Sequence, residues 1–243
     1  YTSDRIDRDN DNFRALEVYL KRVWFSSGIY HHYGKEKMIT EFDESYLRQV
    51  LEQIDLNSLT LCEGETVGQL CDELFPVIFN PEILPKRVNQ ADGADLVTTS
   101  ACNYYQGLTQ TEVEDFYHAQ KRDYKGQQPP SFGLNSTLVK TPQGIEEQTW
   151  CADGKYGKAI KQIVYWLEKA KDVAETPQQE EVTTALIQYY KSGNLQDFND
   201  YCIKWVKCHE GDIDYVNGFI EVYGDPLGLK GSWEGIVEYT DKE

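Results

Sequence analysis

The sequence predicts an α+β fold in which several helices pack around a small, mainly antiparallel β-sheet or partial β-barrel. Segments with helical and with strand-like patterns follow one another in blocks rather than in strict alternation, which is typical of this class. With 243 residues, 40% of them hydrophobic, the chain can bury a core of ordinary size. The best candidate linker, 121–133, covers only about a dozen residues. We therefore expect residues 1–243 to form a single lobe.

Helices are predicted where apolar residues recur at three- and four-residue spacing behind a capping residue. The segments are 10–25, 43–54, 67–75, 109–117, 160–167, one that begins at Thr176 and one from Asn194 to Trp205. Thr109 and Glu112 have the spacing of a capping box, and Pro177 suits the first position of a helix that Thr176 caps. The third helix is expected to lie before Pro76.

Strands are predicted where β-branched, aromatic and other apolar residues cluster between turn residues. The segments are 96–101, 136–140, 145–151, 213–223 and 233–240. The second and third are expected to form a hairpin across 141–144. The last two are joined by 224–228, a stretch of Gly, Asp, Pro and Leu that favours a turn.

The net charge of the chain limits the classes of molecule that it is expected to bind. The chain has 41 acidic and 24 basic residues and a formal net charge of −17. Such a field repels phosphate backbones and anionic lipid surfaces, so we expect neither a nucleic acid nor a membrane partner. It attracts cations, including the ammonium group of a peptide N-terminus, although acidic surfaces mostly serve solubility.

Hydropathy and cysteine content give expectations about solubility and cellular location. No apolar run approaches the ~20 residues of a membrane-spanning helix, so we expect a soluble protein, cytoplasmic by default. The chain begins at Tyr1 without Met, which suggests that a leader or an upstream domain was removed and leaves a periplasmic or secreted location open. Six widely spaced cysteines do not form a dense disulfide scaffold and indicate reduced thiols.

Metal-binding and nucleophilic motifs are incomplete in this sequence. His31 and His32 are adjacent, so on an extended segment they point to opposite faces and cannot share one ion. His209 and Glu210 could begin a zinc-protease HExxH motif, but Ile213 stands where its second histidine belongs. The Cys-x-x-Cys and Gly-x-Ser-x-Gly patterns are missing as well. We therefore expect no metal or other cofactor in this chain and no complete active site.

One pair of residues does suggest chemistry. Glu221 and Tyr223 are two apart on a predicted strand and would therefore project from one face. A carboxylate can bind a substrate ammonium, and a phenol O–H can donate to a carbonyl oxygen as it becomes an oxyanion. On spacing alone, an ordinary solvated sheet face is the favoured explanation of the pair.

The same region carries a family resemblance. Residues 217–228 and 231–237, together with 156–160 and 165–170 upstream, resemble dipeptidyl peptidase III, the M49 family of zinc exopeptidases that remove dipeptides from peptide N-termini. Residues 24–34 and 134–140 look like bacterial members. The resemblance covers essentially the whole chain. The segments also occur in the family's order and spacing, which makes a chance match of short strings a poor explanation.

The resemblance implies a place in a two-lobed enzyme. In this family a helical upper lobe binds zinc on an HExxGH helix, and a lower lobe built around a small β-barrel forms the other wall of the cleft. The sequence is similar to the lower lobe, and the zinc helix is expected downstream of Glu243. The chain is therefore expected to bind an oligopeptide substrate beside the missing zinc-binding lobe, and to be inactive alone. The alternative is a stand-alone peptide-binding or scaffold protein that lost the catalytic half.

The resemblance also implies roles for individual residues that stand at positions matching the family's motif. The resemblance implies that Glu221 binds the substrate N-terminus and that Tyr223 donates to the scissile carbonyl oxygen in the transition state. Asp225 is assigned to the substrate-binding part as support for the turn that presents both, with a merely turn-forming Asp-Pro as the alternative. The sequence departs from animal and fungal members at Gly224, where those members have arginine. Any contact of that arginine is absent here or is supplied elsewhere.

Overall fold

A computed structural model describes residues 6–55, 59, 61 and 64–241. The predicted α+β class is confirmed, with helices beside two small sheets. The chain divides into two compact units, Tyr1–Asn89 with Thr99–Ala101, and Gln90–Thr98 with Cys102–Glu243. The prediction that residues 1–243 form one lobe of a larger protein stays a prediction.

The first unit is helical. It contains α1 (Asp11–Ser26), α2 (Glu44–Gln53) and α3 (Val67–Phe79). Helix α1 lies where a helix is predicted, but its cap is Asn10, whose side chain accepts a hydrogen bond from the Phe13 amide, and not Asp11 or Asn12, which the sequence offers as capping residues. Tyr19 and Phe42 pack edge to face in the core of the unit, with ring centroids 5.4 Å apart.

Helix α3 corrects one prediction, because it continues through Pro76 to Phe79. A proline inside a helix removes a backbone hydrogen bond and crowds the preceding turn. Phe79 lies beyond it and packs edge to face on both Phe42 and Phe75. These ring contacts favour one further turn of helix over an end at the proline.

The second unit contains the other helices and the strands. Its helices are α4 (Gln110–Asp123), α5 (Gly157–Lys171), α6 (Pro177–Ser192) and α7 (Leu195–Lys207). The capping box of Thr109 and Glu112 and the Thr176 cap are both present, as predicted. Helices α5, α6 and α7 share a core that includes the buried residues Ile160, Leu186 and Tyr201.

The strands of the second unit form two sheets. They are β1 (Tyr105–Gln106), β2 (Ser136–Thr141), β3 (Gly144–Thr149), β4 (Ile213–Glu221) and β5 (Ser232–Tyr239). One sheet has the order β1-β2-β3, with β1 parallel to β2, and contains the predicted hairpin in antiparallel register. The other is the antiparallel pair β4-β5.

The strand predicted at 96–101 is wrong, because this segment forms a turn. The Asp95 carboxylate accepts hydrogen bonds from the amides of Val97 at 3.0 Å and Thr98 at 2.9 Å, and from that of Gln110 at 2.9 Å. An aspartate that binds the amides two and three residues on stabilises a turn in place of a strand.

Cys71, Cys151, Cys202 and Cys208 are free thiols, whereas Cys62 lies outside the described residues. Across the described ranges, we find no helix whose length and apolar content would let it cross a membrane.

Candidate functional site

The hairpin of β4 and β5 positions the candidate residues, and its inner face packs on the core. Phe219 lies opposite Trp233, and its ring centroid is 4.9 Å from that of buried Trp150. The Trp233 indole N–H donates to the Tyr190 hydroxyl at 2.8 Å, and that hydroxyl donates to the Asn217 side chain at 2.8 Å. These contacts fix which way the hairpin faces.

Carboxylates line the opposite side of the hairpin, here called the outer face. Glu234 lies opposite Gly218, and Glu221 lies opposite Ser232 after a register shift between Phe219 and Glu221. Directly opposed residues share a face, so Glu221, Ser232 and Glu234 lie on one side. Asp214 and Glu238 oppose each other at the far end, where the Asp214 carboxylate accepts a hydrogen bond from the Trp205 indole N–H at 3.0 Å. The outer face therefore attracts cations.

Glu221 influences the ionisation of Glu234. The Glu234 carboxyl hydrogen-bonds to Glu221, and this bond is the main reason why the pKa of Glu234 lies above its ordinary value. Partial desolvation and repulsion by the Glu221 charge act in the same direction. Both side chains are only half-buried, so a cation in solvent can reach them.

Tyr223 does not lie on the strand, which corrects the prediction that 213–223 is extended. Strand β4 ends at Glu221, and Val222–Gly224 form a single 3₁₀ turn. The alternation argument for one shared face therefore does not apply to Tyr223. Its side chain is 53% exposed, which leaves the phenol reachable from solvent.

Asp225 comes directly after the 3₁₀ turn and is only 2% exposed. One of its carboxylate oxygens accepts hydrogen bonds from the Tyr105 hydroxyl at 2.7 Å and from the amides of Leu229 and Lys230, each at 2.8 Å. The other accepts from the Leu227 amide at 3.2 Å. These bonds gather residues 225–230 around one carboxylate. They support the interpretation of Asp225 as the residue that holds the turn, while its assignment to substrate binding stays a prediction.

Lys230 lies at the far end of this turn and is fully buried. Its ammonium group contacts the Tyr117 hydroxyl and donates to the Ser136 hydroxyl at 3.0 Å, and it lies 3.9 Å from the Glu147 carboxylate. Burial lowers the pKa of Lys230 to about 8, although Glu147 and Asp225 oppose this shift. Sequence reasoning missed Lys230, since a lysine in a glycine- and leucine-rich loop gives no sign of burial.

Metal ligands do not converge in the part of the chain that the structure describes, where no group of three or more His, Cys, Asp or Glu residues could hold an ion. His32 packs edge to face on Tyr33, at 4.8 Å between ring centroids, in the first unit.

Known proteins resemble this chain across nearly its whole length. Residues 135–243 match the family model described as Peptidase family M49. The chain is 32% identical over 252 residues to dipeptidyl peptidase 3 of Dictyostelium discoideum, an alignment that covers 96% of this chain and 34% of that protein. It is 24% identical over 260 residues to dipeptidyl peptidase 3 of Homo sapiens, with the same 96% and 34% coverage. The chain belongs to peptidase family M49.

The chain is much shorter than these M49 relatives. It spans only 34% of the length of the curated proteins it matches. A solved structure of DPP III from Caldithrix abyssi aligns with 100% of this chain and 41% of that chain, with a TM-score of 0.49 and 14% identity. Within the chain, the matched region 135–243 contains β2 to β5 and all three candidate residues, Glu221, Tyr223 and Asp225.

Proposed function

We propose that this chain is the lower, substrate-binding lobe of a zinc-dependent dipeptidyl peptidase that removes dipeptides from peptide N-termini. The observation that carries the proposal is the outer face of the β4–β5 hairpin. It presents the Glu221 carboxylate within an acidic surface, and the exposed Tyr223 phenol follows two residues later. Membership of family M49 and the relatives' name, dipeptidyl peptidase 3, supply the substrate class.

Glu221 is the anchor for the substrate N-terminus in this proposal. Its carboxylate is half-buried, and it extends from the end of a strand whose other face is packed on the core. A carboxylate held in this way accepts charge-assisted hydrogen bonds from an ammonium group without much loss of side-chain entropy. Binding of one end of the peptide then sets the distance from the N-terminus to the bond that is cut.

In this proposal, Tyr223 polarises the scissile carbonyl group. A phenol O–H that donates to the scissile carbonyl oxygen stabilises the charge which develops on that oxygen in the transition state. Tyr223 lies in the 3₁₀ turn after the strand, and Asp225, directly after this turn, accepts a hydrogen bond from the hydroxyl of buried Tyr105. The phenol is thereby carried on a fixed segment.

Zinc would have to come from outside the described residues, which provide no metal-binding group. When bound, zinc supplies an activated water for hydrolysis. The chain's own contribution is to bind the peptide and to polarise its carbonyl, so we expect no catalysis by the chain alone.

Two measurements test the proposal. The 243-residue chain should bind a short peptide with a free N-terminus more tightly than the same peptide acetylated at its N-terminus, and Glu221→Gln should remove the difference. The complete reading frame should contain an HExxGH motif and release dipeptides. A complete protein that lacks this motif but still binds peptides would identify a stand-alone peptide-binding or scaffold protein. Equal binding of the free and the acetylated peptide would refute the anchor.

A further inference from the structure

A cavity of about 530 Å³ lies in the second unit, apart from the residues proposed to bind the peptide. Its described lining residues come from α4, the loop 124–135, the β2–β3 hairpin and the start of α7 with the turn before it. A cavity of this volume is large enough to hold a small organic group. The chemistry of its lining decides which group that is.

Two side-chain amides in this cavity use their nitrogens for bonds within the protein. Asn135 Nδ2 donates to the Gly193 carbonyl at 2.9 Å, and Gln120 Nε2 donates to the Glu147 carboxylate at 3.2 Å. Both partners can only accept, so each amide nitrogen must face its partner and the amide oxygen remains. Among the described residues neither oxygen receives a hydrogen bond, and neither is sealed from solvent. Asn135 lines the cavity although it is only 2% exposed, so its acceptor is held in a fixed position.

Glu147 adds a carboxylate to these two amide oxygens. It accepts hydrogen bonds from the Tyr117 hydroxyl at 2.7 Å, from the Ser136 hydroxyl at 2.6 Å and from Gln120. A carboxylate offers about four acceptor positions, so one stays open on a side chain that is 26% exposed. Lys230 lies 3.9 Å from this carboxylate but is fully buried, so it stabilises Glu147 from the protein side. Of the described residues that line the cavity, Glu147 is the one with a formal charge.

Aromatic rings form another wall of the cavity. Tyr124 and Phe132 pack edge to face, with ring centroids 5.7 Å apart, and both line the cavity. The face of such a ring attracts a cation, and a planar guanidinium also stacks on it. A guanidinium has five N–H donors and no acceptor, so it also suits the three oxygen acceptors. We infer that this cavity is a binding site for a guanidinium group, such as that of an arginine side chain.

The beginning of α7 lies at the edge of the cavity, and the positive end of a helix dipole opposes a cation. Two groups offset this effect here. The Asn194 side chain accepts a hydrogen bond from the Gln196 amide at 2.8 Å, and Asp197 places a carboxylate in the first turn. The net charge of −17 on the whole chain also favours the approach of a cation.

NMR titration of the 243-residue chain with Nα-acetyl-arginine amide tests the site. The side-chain amide signals of Asn135 and Gln120 should shift in a saturable way. The citrulline analogue has the same shape without the charge, and the lysine analogue has the charge without the planar fork. Both should bind at least about tenfold more weakly than the arginine probe. Methylguanidinium identifies the source of the group: equal affinity indicates any small guanidine, whereas tighter binding of the arginine probe indicates an arginine side chain of a peptide.

Two lysine substitutions on α4 form a matched pair of variants. Gln120→Lys brings an ammonium group next to Glu147, where it competes with the probe, so binding should fall at least about tenfold. His118→Lys adds the same group at an exposed position about 200° around the helix, and it should leave binding unchanged. Gln120→Ala, which only removes an acceptor, should weaken binding about three- to tenfold.

Three results would overturn the inference. They are no saturable shift with the arginine probe, equal affinity for the arginine, citrulline and lysine probes, and equal effects of Gln120→Lys and His118→Lys. The last two would indicate only the general attraction of an acidic protein for small solutes and cations. Because the probes have no free N-terminus, none of these results bears on the proposed role of Glu221.

Discussion

Replacement of Asp225 by alanine should destabilise the second unit strongly. The carboxylate is 2% exposed and accepts four hydrogen bonds, three of them from backbone amides. Two of its donors, the Tyr105 hydroxyl and the Lys230 amide, belong to buried residues that water does not readily reach. Each buried donor left without a partner costs about 1–3 kcal/mol, so we expect a loss of about 3–5 kcal/mol in the free energy of unfolding.

Urea denaturation followed by tryptophan fluorescence measures this loss. Of the five tryptophans, only Trp24 belongs to the first unit, so the signal reports mainly on the second. With an m-value of roughly 2–3 kcal/mol per molar urea, the midpoint should fall by about 1–2 M. Asp225→Asn keeps an acceptor but loses the charge, and it should cost about half as much as the alanine variant.

Glu238→Ala provides the control, because it removes an exposed carboxylate from the adjoining hairpin and should change stability by less than about 0.5 kcal/mol. If Asp225→Ala unfolds at the same urea concentration as Glu238→Ala, the Asp225 carboxylate does not organise residues 225–230. The physical account of the turn that carries Tyr223 would then be wrong.

Further predictions concern the site residues, the buried lysine and the metal. In a complete protein with the proposed activity, Tyr223→Phe should lower kcat about 10²–10³-fold with little change in KM, as measured by steady-state dipeptide release, because the phenol bond matters chiefly in the transition state. In the same assay Glu221→Gln should act mainly on KM, since the ammonium is bound in the ground state as well. Lys230 has a pKa lowered from 10.5 to about 8 by burial, so its folded form loses its proton first. The stability of wild type relative to Lys230→Met should therefore rise between these pH values, by up to about 3 kcal/mol in urea titrations. The isolated chain should retain no stoichiometric zinc after dialysis, as measured by elemental analysis.

Specific results would contradict each of these expectations. A folded Tyr223→Phe enzyme within a few-fold of wild type in kcat/KM would make this phenol a surface group. A Glu221→Gln variant with unchanged KM would remove the anchor. A stability difference between wild type and Lys230→Met that stays flat or falls above pH 8 would contradict the buried charge. About one equivalent of zinc, lost on mutation of a histidine, would reveal a metal site in this chain.

Local features of the sequence were sufficient for most helices and for one hairpin. The caps at Thr109 and Thr176 depend on contacts within a few residues, so their positions could be predicted from spacing alone. The hairpin of β2 and β3 follows from the turn residues and the flanking strands for the same reason. The resemblance to family M49 was likewise contained in short ordered segments of the chain.

The tertiary structure alone decided where β4 ends and what surrounds the candidate residues. Strand propensity continues to Tyr223, but the strand stops at Glu221 because Asp225 binds amides beyond the turn and the hydroxyl of Tyr105, 120 residues away. The burial of Lys230 against Ser136 joins positions 94 apart, and the placement of Glu221 on the same face as Glu234 depends on a register shift. No local pattern encodes such pairs, because their stability arises from desolvation and hydrogen bonds between segments that meet only after folding.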